Sequence, residues 1–254
     1  GGTIFDLLNP DSVLSSTTFQ TRQHHTDGVA LTGTYSEAPT AWDDPTDLSS
    51  LDSYQGCVPF VKGNQSDQDI RIADDATFDA DAAFSMGIWV TIPNGYNSQM
   101  ILQHGVANSE FTTWKLSWNN DIADSFHFGL GDNTTPASNQ SYTRSTALSP
   151  DTKSWTFLVC TWSGTDGYSN MHLYVDGVLD DNTGADVGTG VTVPYLSTVD
   201  VAIMSRTLNA DDDRYFEGKV AGGPLSPFFA ANKALNAQEV YRLYLLGRAA
   251  MGLQ

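Results

Sequence analysis

Two stretches of strict two-residue alternation constrain this chain more than any other feature. Trp114, Leu116 and Trp118 share one face of an extended segment, with Thr113, Lys115 and Ser117 on the other. Phe126, Phe128 and Leu130 repeat the pattern, with His127 and Gly129 opposite. Successive side chains of a strand point to opposite faces, so each segment presents one apolar and one polar surface. That pattern marks an antiparallel sheet packed on one side. Residues 119–124 can close the two segments into a hairpin.

The same reading extends along the chain. Phe84, Met86, Ile88 and Val90 share a face, and Asn94-Gly95 supplies a turn. Met100, Leu102 and His104 alternate with Gln99, Ile101 and Gln103. Residues 131–142, rich in Gly, Asn, Thr and Ser, read as a loop. Residues 155–162 are apolar on both faces, as a central strand would be. Met171, Leu173 and Val175 then point inward, His172 and Tyr174 outward, and Asp176-Gly177 forms a tight turn. Residues 57–61, 69–72, 199–204 and 215–221 supply further strands.

One helix is expected near the C-terminus. Asn236 caps it, Glu239 completes a capping box, and Leu235 with Val240 forms a hydrophobic staple. Val240, Leu243 and Tyr244 follow helical spacing, and Gly247 is expected to end it.

Composition agrees with an all-β chain rich in loops. Only four of the 30 acidic residues are glutamates (Glu37, Glu110, Glu217 and Glu239), and aspartate, with glycine, serine and asparagine, favours turns. The formal net charge of −18 repels phosphate backbones, which argues against nucleic acid as a partner. No apolar run approaches the roughly 20 residues of a membrane-spanning helix. The two cysteines, Cys57 and Cys160, can make one bridge, and the sequence does not say whether they meet; Cys160 sits in a strand-like run and reads first as a small buried hydrophobe. Residues 1–55 read as an irregular segment of strand fragments and loops, packed on the main domain or used as an anchor. The main domain spans 56–254.

Several segments resemble the laminin-G-like domains of the concanavalin A-like lectin/glucanase group. Residues 155–164, Trp-Thr-Phe-Leu-Val-Cys-Thr-Trp-Ser-Gly, followed by 171–179, Met-His-Leu-Tyr-Val-Asp-Gly-Val-Leu, are similar to that family's central signature. Residues 84–90 resemble its earlier Trp-bearing strand. Residues 215–220 resemble its late aromatic-x-Gly strand, and 234–240 its closing segment before a short helix. The motifs occur in the family's order over residues 56–246. The resemblance implies a jelly-roll sandwich of two antiparallel sheets, one of them concave. One departure stands out: Val220-Ala221 occupies the place where many relatives carry an apolar residue followed by Asp, so a role tied to that acid does not transfer. The stretch 222–229, with Tyr241-Arg242-Leu243-Tyr244, is similar to laminin-G-like proteins encoded by marine phages.

The chemistry-bearing residues favour binding over catalysis. A glycosidase needs two carboxylates flanking the scissile bond. The laminarinase-type relatives carry theirs on one strand, whereas the glutamates here are at least 22 residues apart. Asp79 with Asp81, and Asp211 to Asp213, lie in turn-like sequence. Polysaccharide lyases of the jelly roll use Tyr and His or Gln with an Arg. His127, His172, Tyr174 and Gln103 could share an outward face, but the lyases' Arg-bearing strand motif is absent. Asp211, Asp212 and Asp213 form the candidate metal site: the resemblance to laminin-G-like domains implies calcium held by loop carboxylates, and a solvated acidic loop is the alternative reading. Trp42, Tyr96 and Tyr168 lie in loops and are the candidate ligand-binding aromatics, whereas Trp89, Trp114, Trp118 and Trp155 belong to the core.

The expected function is therefore a non-catalytic binding module, recognising a glycan or a protein surface through edge loops. A second reading is a virion structural protein, a capsid decoration, fibre or tail component, that uses the same sandwich and assembles with copies of itself or with a capsid or tail partner. A lyase or hydrolase is the third. The expected location is extracellular or on a virion surface.

Overall fold

The computed structural model describes residues 71–72, 74, 78–79, 82–92, 99–105, 113–119, 124–132, 139–149, 154–165, 167–192, 194, 198–204, 229–249 and 253. It also gives the backbone of strand or helix residues at 4–6, 13–15, 18–20, 22–23, 32–35, 60–62, 70, 151–153, 219–221, 228 and 250. In chain order the strands begin with β1 (Ile4–Asp6), β2 (Val13–Ser15), β3 (Thr18–Gln20), β4 (Arg22–Gln23), β5 (Thr32–Tyr35), β6 (Phe60–Lys62) and β7 (Ile70–Ile72). The body carries β8 (Phe84–Ile92), β9 (Gln99–His104), β10 (Trp114–Asn119), β11 (Ser125–Gly131), β12 (Gln140–Arg144) and β13 (Asp151–Trp162). Then come β14 (Met171–Val175), β15 (Val178–Leu179), β16 (Thr183–Val187), β17 (Val201–Ile203), β18 (Lys219–Ala221), β19 (Phe228–Ala231) and the helix α1 (Ala237–Ala250).

These strands form two antiparallel sheets, as the alternation predicts. The nine-stranded sheet runs β15-β14-β13-β8-β19-β1-β4, with β18 joining β8 to β6. The ten-stranded sheet runs β16-β12-β11-β10-β9-β17-β7-β5-β3-β2. Strands from the first 35 residues pair into both sheets. Inward residues of the two sheets meet in one core: Met86, Ile88, Leu158 and Leu173 from one, Leu102, Trp114, Leu116, Trp118 and Phe128 from the other. Phe84 and Phe128 contact edge to face across it, with centroids 6.2 Å apart. The jelly-roll sandwich expected from the resemblance is therefore the fold.

Cys160 is a free thiol inside this core, and burial pushes its pKa well up. Its expected role as a small hydrophobe holds; Cys57 lies outside the described residues. β13 is a central strand, flanked by β14 and β8, which explains why it is apolar on both faces.

The second face of β13 meets α1. Trp155, Phe157 and Val159 of β13 join Trp89, Tyr174, Phe229, Leu235 and Val240 in a separate cluster, with Leu243 and Tyr244 of the helix against it. Trp89 stacks against both Phe157, at 4.9 Å, and Tyr244, at 5.7 Å, and those two rings lie 6.4 Å from each other. The helix starts as the sequence predicts. Asn236 Oδ1 accepts from the Gln238 and Glu239 amides at 3.0 and 3.1 Å, and Glu239 Oε2 accepts from the Asn236 amide at 3.0 Å. Leu235 and Val240, the expected staple, are both buried in the cluster.

Three expectations are corrected. Gly247 does not end the helix; it lies within it, because a Cβ there would sit 2.5 Å from Trp89 Nε1, and only glycine lets the helix approach the sheet so closely. Residues 140–144 form β12, so the loop expected over 131–142 ends before residue 140: the strand's inward residues are Ser141 and Thr143, too polar to announce it. The alternation of β9 is broken by a register shift between Leu116 and Ser117, which places both Ile101 and Leu102 in the core.

Candidate functional site

The two sheets have very different outer surfaces. On the ten-stranded sheet, alternation turns Lys115, Ser117 and Asn119 of β10 away from the core, with Ser125, His127 and Gly129 of β11 and Gln140, Tyr142 and Arg144 of β12. Cross-strand register gathers them: Ser117 faces His127, which faces Arg144, and Gln103 faces Lys115, then Gly129, then Tyr142. Gly129 makes room for its neighbour, since a Cβ there would lie 3.3 Å from Lys115 Cε. The Tyr142 ring is the hub. His127 meets it edge to face at 5.0 Å, and the Arg144 guanidinium carbon lies 4.7 Å over it.

Polar groups on this face are buried without belonging to either hydrophobic cluster. Gln103, Ser117, Asn119, Ser125 and Gln140 are all buried. Four of the face's buried side-chain atoms have no hydrogen-bond partner: His127 Nε2, Arg144 Nε, Ser125 Oγ and Asn119 Oδ1. Leaving one such group unpaired costs about 1–3 kcal/mol, and more for a charged one. The pKa of His127 is held well below the ordinary imidazole value, first by desolvation and then by the positive charges of Lys115 and Arg144. The imidazole is therefore neutral at pH 7, with one nitrogen free to accept and the other to donate.

The rim of the sandwich is organised by aspartates. Asp186 Oδ1 accepts from the Tyr168 amide at 2.9 Å and also from Ser141 Oγ. Asp132 Oδ2 accepts from both the amide and the hydroxyl of Thr192 at 3.1 Å. Asp180 does the same for Thr146, at 3.0 and 2.9 Å, and Asp181 Oδ1 accepts from the Leu173 amide at 2.7 Å. Asp176 holds the Phe157 amide at 2.9 Å. These carboxylates fasten loops and strand ends to parts of the chain distant in sequence, each accepting a charge-assisted hydrogen bond from a backbone N–H.

Of the residues singled out in the sequence, Tyr168 lies on this rim, in a short 3-10 turn, with its ring exposed and its edge against Gly184 of β16. Trp42, Tyr96, Asp211, Asp212 and Asp213 lie outside the described residues. Among the described residues no group of three or more His, Cys, Asp or Glu side chains could hold a metal ion. Trp114 and Trp118 belong to the main core and Trp89 and Trp155 to the helix-side cluster, as expected. The four residues weighed for lyase chemistry do not share a face. Gln103 and His127 lie on the ten-stranded sheet, but His172 and Tyr174 are on β14 of the other sheet.

Tyr142 and Arg144 are not readily legible as site residues from the sequence alone, because the Gly-, Asn-, Thr- and Ser-rich run over 131–142 hides the start of β12. Lys115 points outward, as its alternation with Trp114 and Leu116 predicts. A usable signal existed: Tyr142 and Arg144 alternate with Ser141 and Thr143 beside an already assigned hairpin.

Together these features define a lectin-type β-sandwich with one outer face packed and the other polar. The description "Concanavalin A-like lectin/glucanases superfamily", in its third laminin-G form, matches residues 63–240, and the chain belongs to that family. No curated protein matches the sequence.

Among solved structures, the binding domain of botulinum neurotoxin serotype D/C is similar at 13% identity and a TM-score of 0.56, covering 92% of this chain and 52% of that one. A Trypanosoma rangeli sialidase, in complex with a difluoro-KDN compound, is similar at 14% identity and a TM-score of 0.58, covering 100% of this chain and 33% of that one. A third structure, described as showing that cell entry of botulinum neurotoxin type C depends on interaction with two ganglioside molecules, is similar at 14% identity and a TM-score of 0.50. It covers 77% of this chain and 44% of that one. This chain spans between a third and about half of those chains, and at these identities the likeness is one of fold.

Proposed function

We propose that the protein is a non-catalytic glycan-binding module that reads its ligand on the outer face of the ten-stranded sheet, around His127, Tyr142 and Arg144. One observation carries this reading: four unpartnered polar atoms are gathered on a buried polar face. The set mixes an obligate donor (Arg144 Nε), an obligate acceptor (Asn119 Oδ1) and two groups that can do either (Ser125 Oγ, His127 Nε2). Sugar hydroxyls both donate and accept, so a glycan can satisfy all four where an apolar partner satisfies none. The neurotoxin relative described for its ganglioside interaction supports a binding role for the fold, and the sialidase is the competing precedent.

The test is a glycan array with the whole chain, followed by titration of the best ligand into variants. Arg144→Gln and His127→Ala are expected to weaken binding about tenfold or more, since each removes a buried hydrogen-bonding group. Tyr241→Ala, on the helix at the far side, is the control. Loss in Tyr168→Ala with the face variants unaffected would move recognition to the rim. New reducing or unsaturated ends in the incubated glycan would overturn the non-catalytic part.

A further inference from the structure

The chemistry of the face narrows its ligand further, on the footing of the binding function just proposed. The chain has 12 basic residues against 30 acidic ones. Two of those 12, Lys115 and Arg144, converge on one histidine, and both charges acting on that histidine are positive. In a protein of net charge −18 this is a local reversal of sign. Arg144 has its guanidinium laid on Tyr142, which fixes the plane of the fork, yet its buried Nε has no partner. A planar guanidinium with a free in-plane N–H is matched by a carboxylate or sulfate oxygen, and Arg makes such contacts with fixed geometry. The adjacent His127 can donate one more N–H, and Ser125 Oγ and Asn119 can take the hydroxyls of the ring that bears the charge.

We propose that this face selects an acidic glycan, seating a sugar carboxylate or sulfate ester against Arg144, with Lys115 and His127 flanking it. The negative surface elsewhere then works as a filter. A long uniform polyanion such as nucleic acid is repelled along its length, whereas a single acidic sugar, or one spaced within a glycan, needs only the local site.

The experiment uses the full chain on an array that carries neutral, uronate-containing, sialylated and sulfated glycans, at low and raised sodium chloride. Inorganic sulfate follows as a competitor, and the His127 imidazole resonances are watched during a sulfate titration. Acidic glycans are expected to dominate, binding should weaken as salt rises, and sulfate should shift the His127 signals saturably. Arg144→Gln should lose at least tenfold in affinity and Lys115→Gln severalfold, with thermal midpoints within a few degrees of the parent. The sulfate titration on the unmodified protein keeps the proposal testable even if a variant fails to fold. Neutral glycans bound without salt dependence, with Arg144→Gln unimpaired, would overturn the acidic specificity and leave the binding function standing. Binding of no glycan of any charge, with no sulfate effect on His127, would overturn both. A preference for nucleic acid or acidic peptide over every acidic glycan would also overturn it.

Discussion

The two outer faces of this sandwich show how one alternating pattern serves opposite ends. On the nine-stranded sheet the outward positions of β8, β13 and β19 are Trp89, Phe157, Val159 and Phe229, and helix α1 covers them. On the ten-stranded sheet the outward positions of β10, β11 and β12 are Lys115, Ser117, His127, Tyr142 and Arg144, and they form no second apolar cluster. Burial on the first face stabilises; burial on the second leaves polar atoms unpaired, which costs stability. The face that packs for folding and the face proposed for binding are back to back, separated by the common core.

Substitutions should separate the two roles. The largest effect is expected on the helix side. Trp89→Ala removes a ring stacked on both Phe157 and Tyr244 and should destabilise by about 3–5 kcal/mol, read by urea unfolding. Gly247→Ala should follow, at about 1–3 kcal/mol, because its new methyl group meets the Trp89 indole and one or the other must shift. Glycan binding by the molecules that remain folded should be unchanged in both. If either variant lost affinity while still folded, the two faces would be coupled and the division of labour would fall.

On the other face the sign should invert. Ser125→Ala deletes a buried hydroxyl that has no partner, so it should leave stability unchanged or raise it by up to about 1 kcal/mol while weakening ligand binding. A clear loss of stability would mean that Ser125 is a structural residue. Smaller again is the cap: Asn236→Ala should cost about 1 kcal/mol, since it strips the acceptor from the Gln238 and Glu239 amides.

The contrast between faces also explains what the sequence made legible. Apolar alternation is a loud signal, so β8, β10, β11, β13 and β14 could be placed, as could the capping box at Asn236. The polar face is quiet. β12 carries Ser141 and Thr143 toward the core, and its outward Tyr142 and Arg144 gain meaning only from register against β11. The same holds for Gly247: glycine after a helical run ordinarily signals an end, and only the proximity of Trp89 shows that it marks a close approach instead. Pairwise contacts between distant segments are what alternation cannot supply, and binding sites are made of them.

The smallest effect tests whether histidine chemistry on the helix-side sheet differs from that at His127. His172 lies on β14 with its Nδ1 2.6 Å from Asp181 Oδ2, and this hydrogen bond holds its pKa above the ordinary value of 6.5, against a smaller opposing effect of burial. A folded-state pKa above the unfolded one means that the proton is bound more tightly in the folded protein. The pair's contribution is therefore complete below pH 6.5 and fades as the pH rises through the higher folded value. Both side chains are partly exposed, so solvent screening limits the contribution to well under about 1 kcal/mol. His172→Gln should flatten this shallow decline in stability between mildly acidic and mildly alkaline pH, followed by urea midpoints. Glycan affinity should be indifferent to the change. His127, buried beside two cations, has its pKa held well below the ordinary value, and a stability profile that follows His127 instead of His172 would reverse the assignment of the two faces.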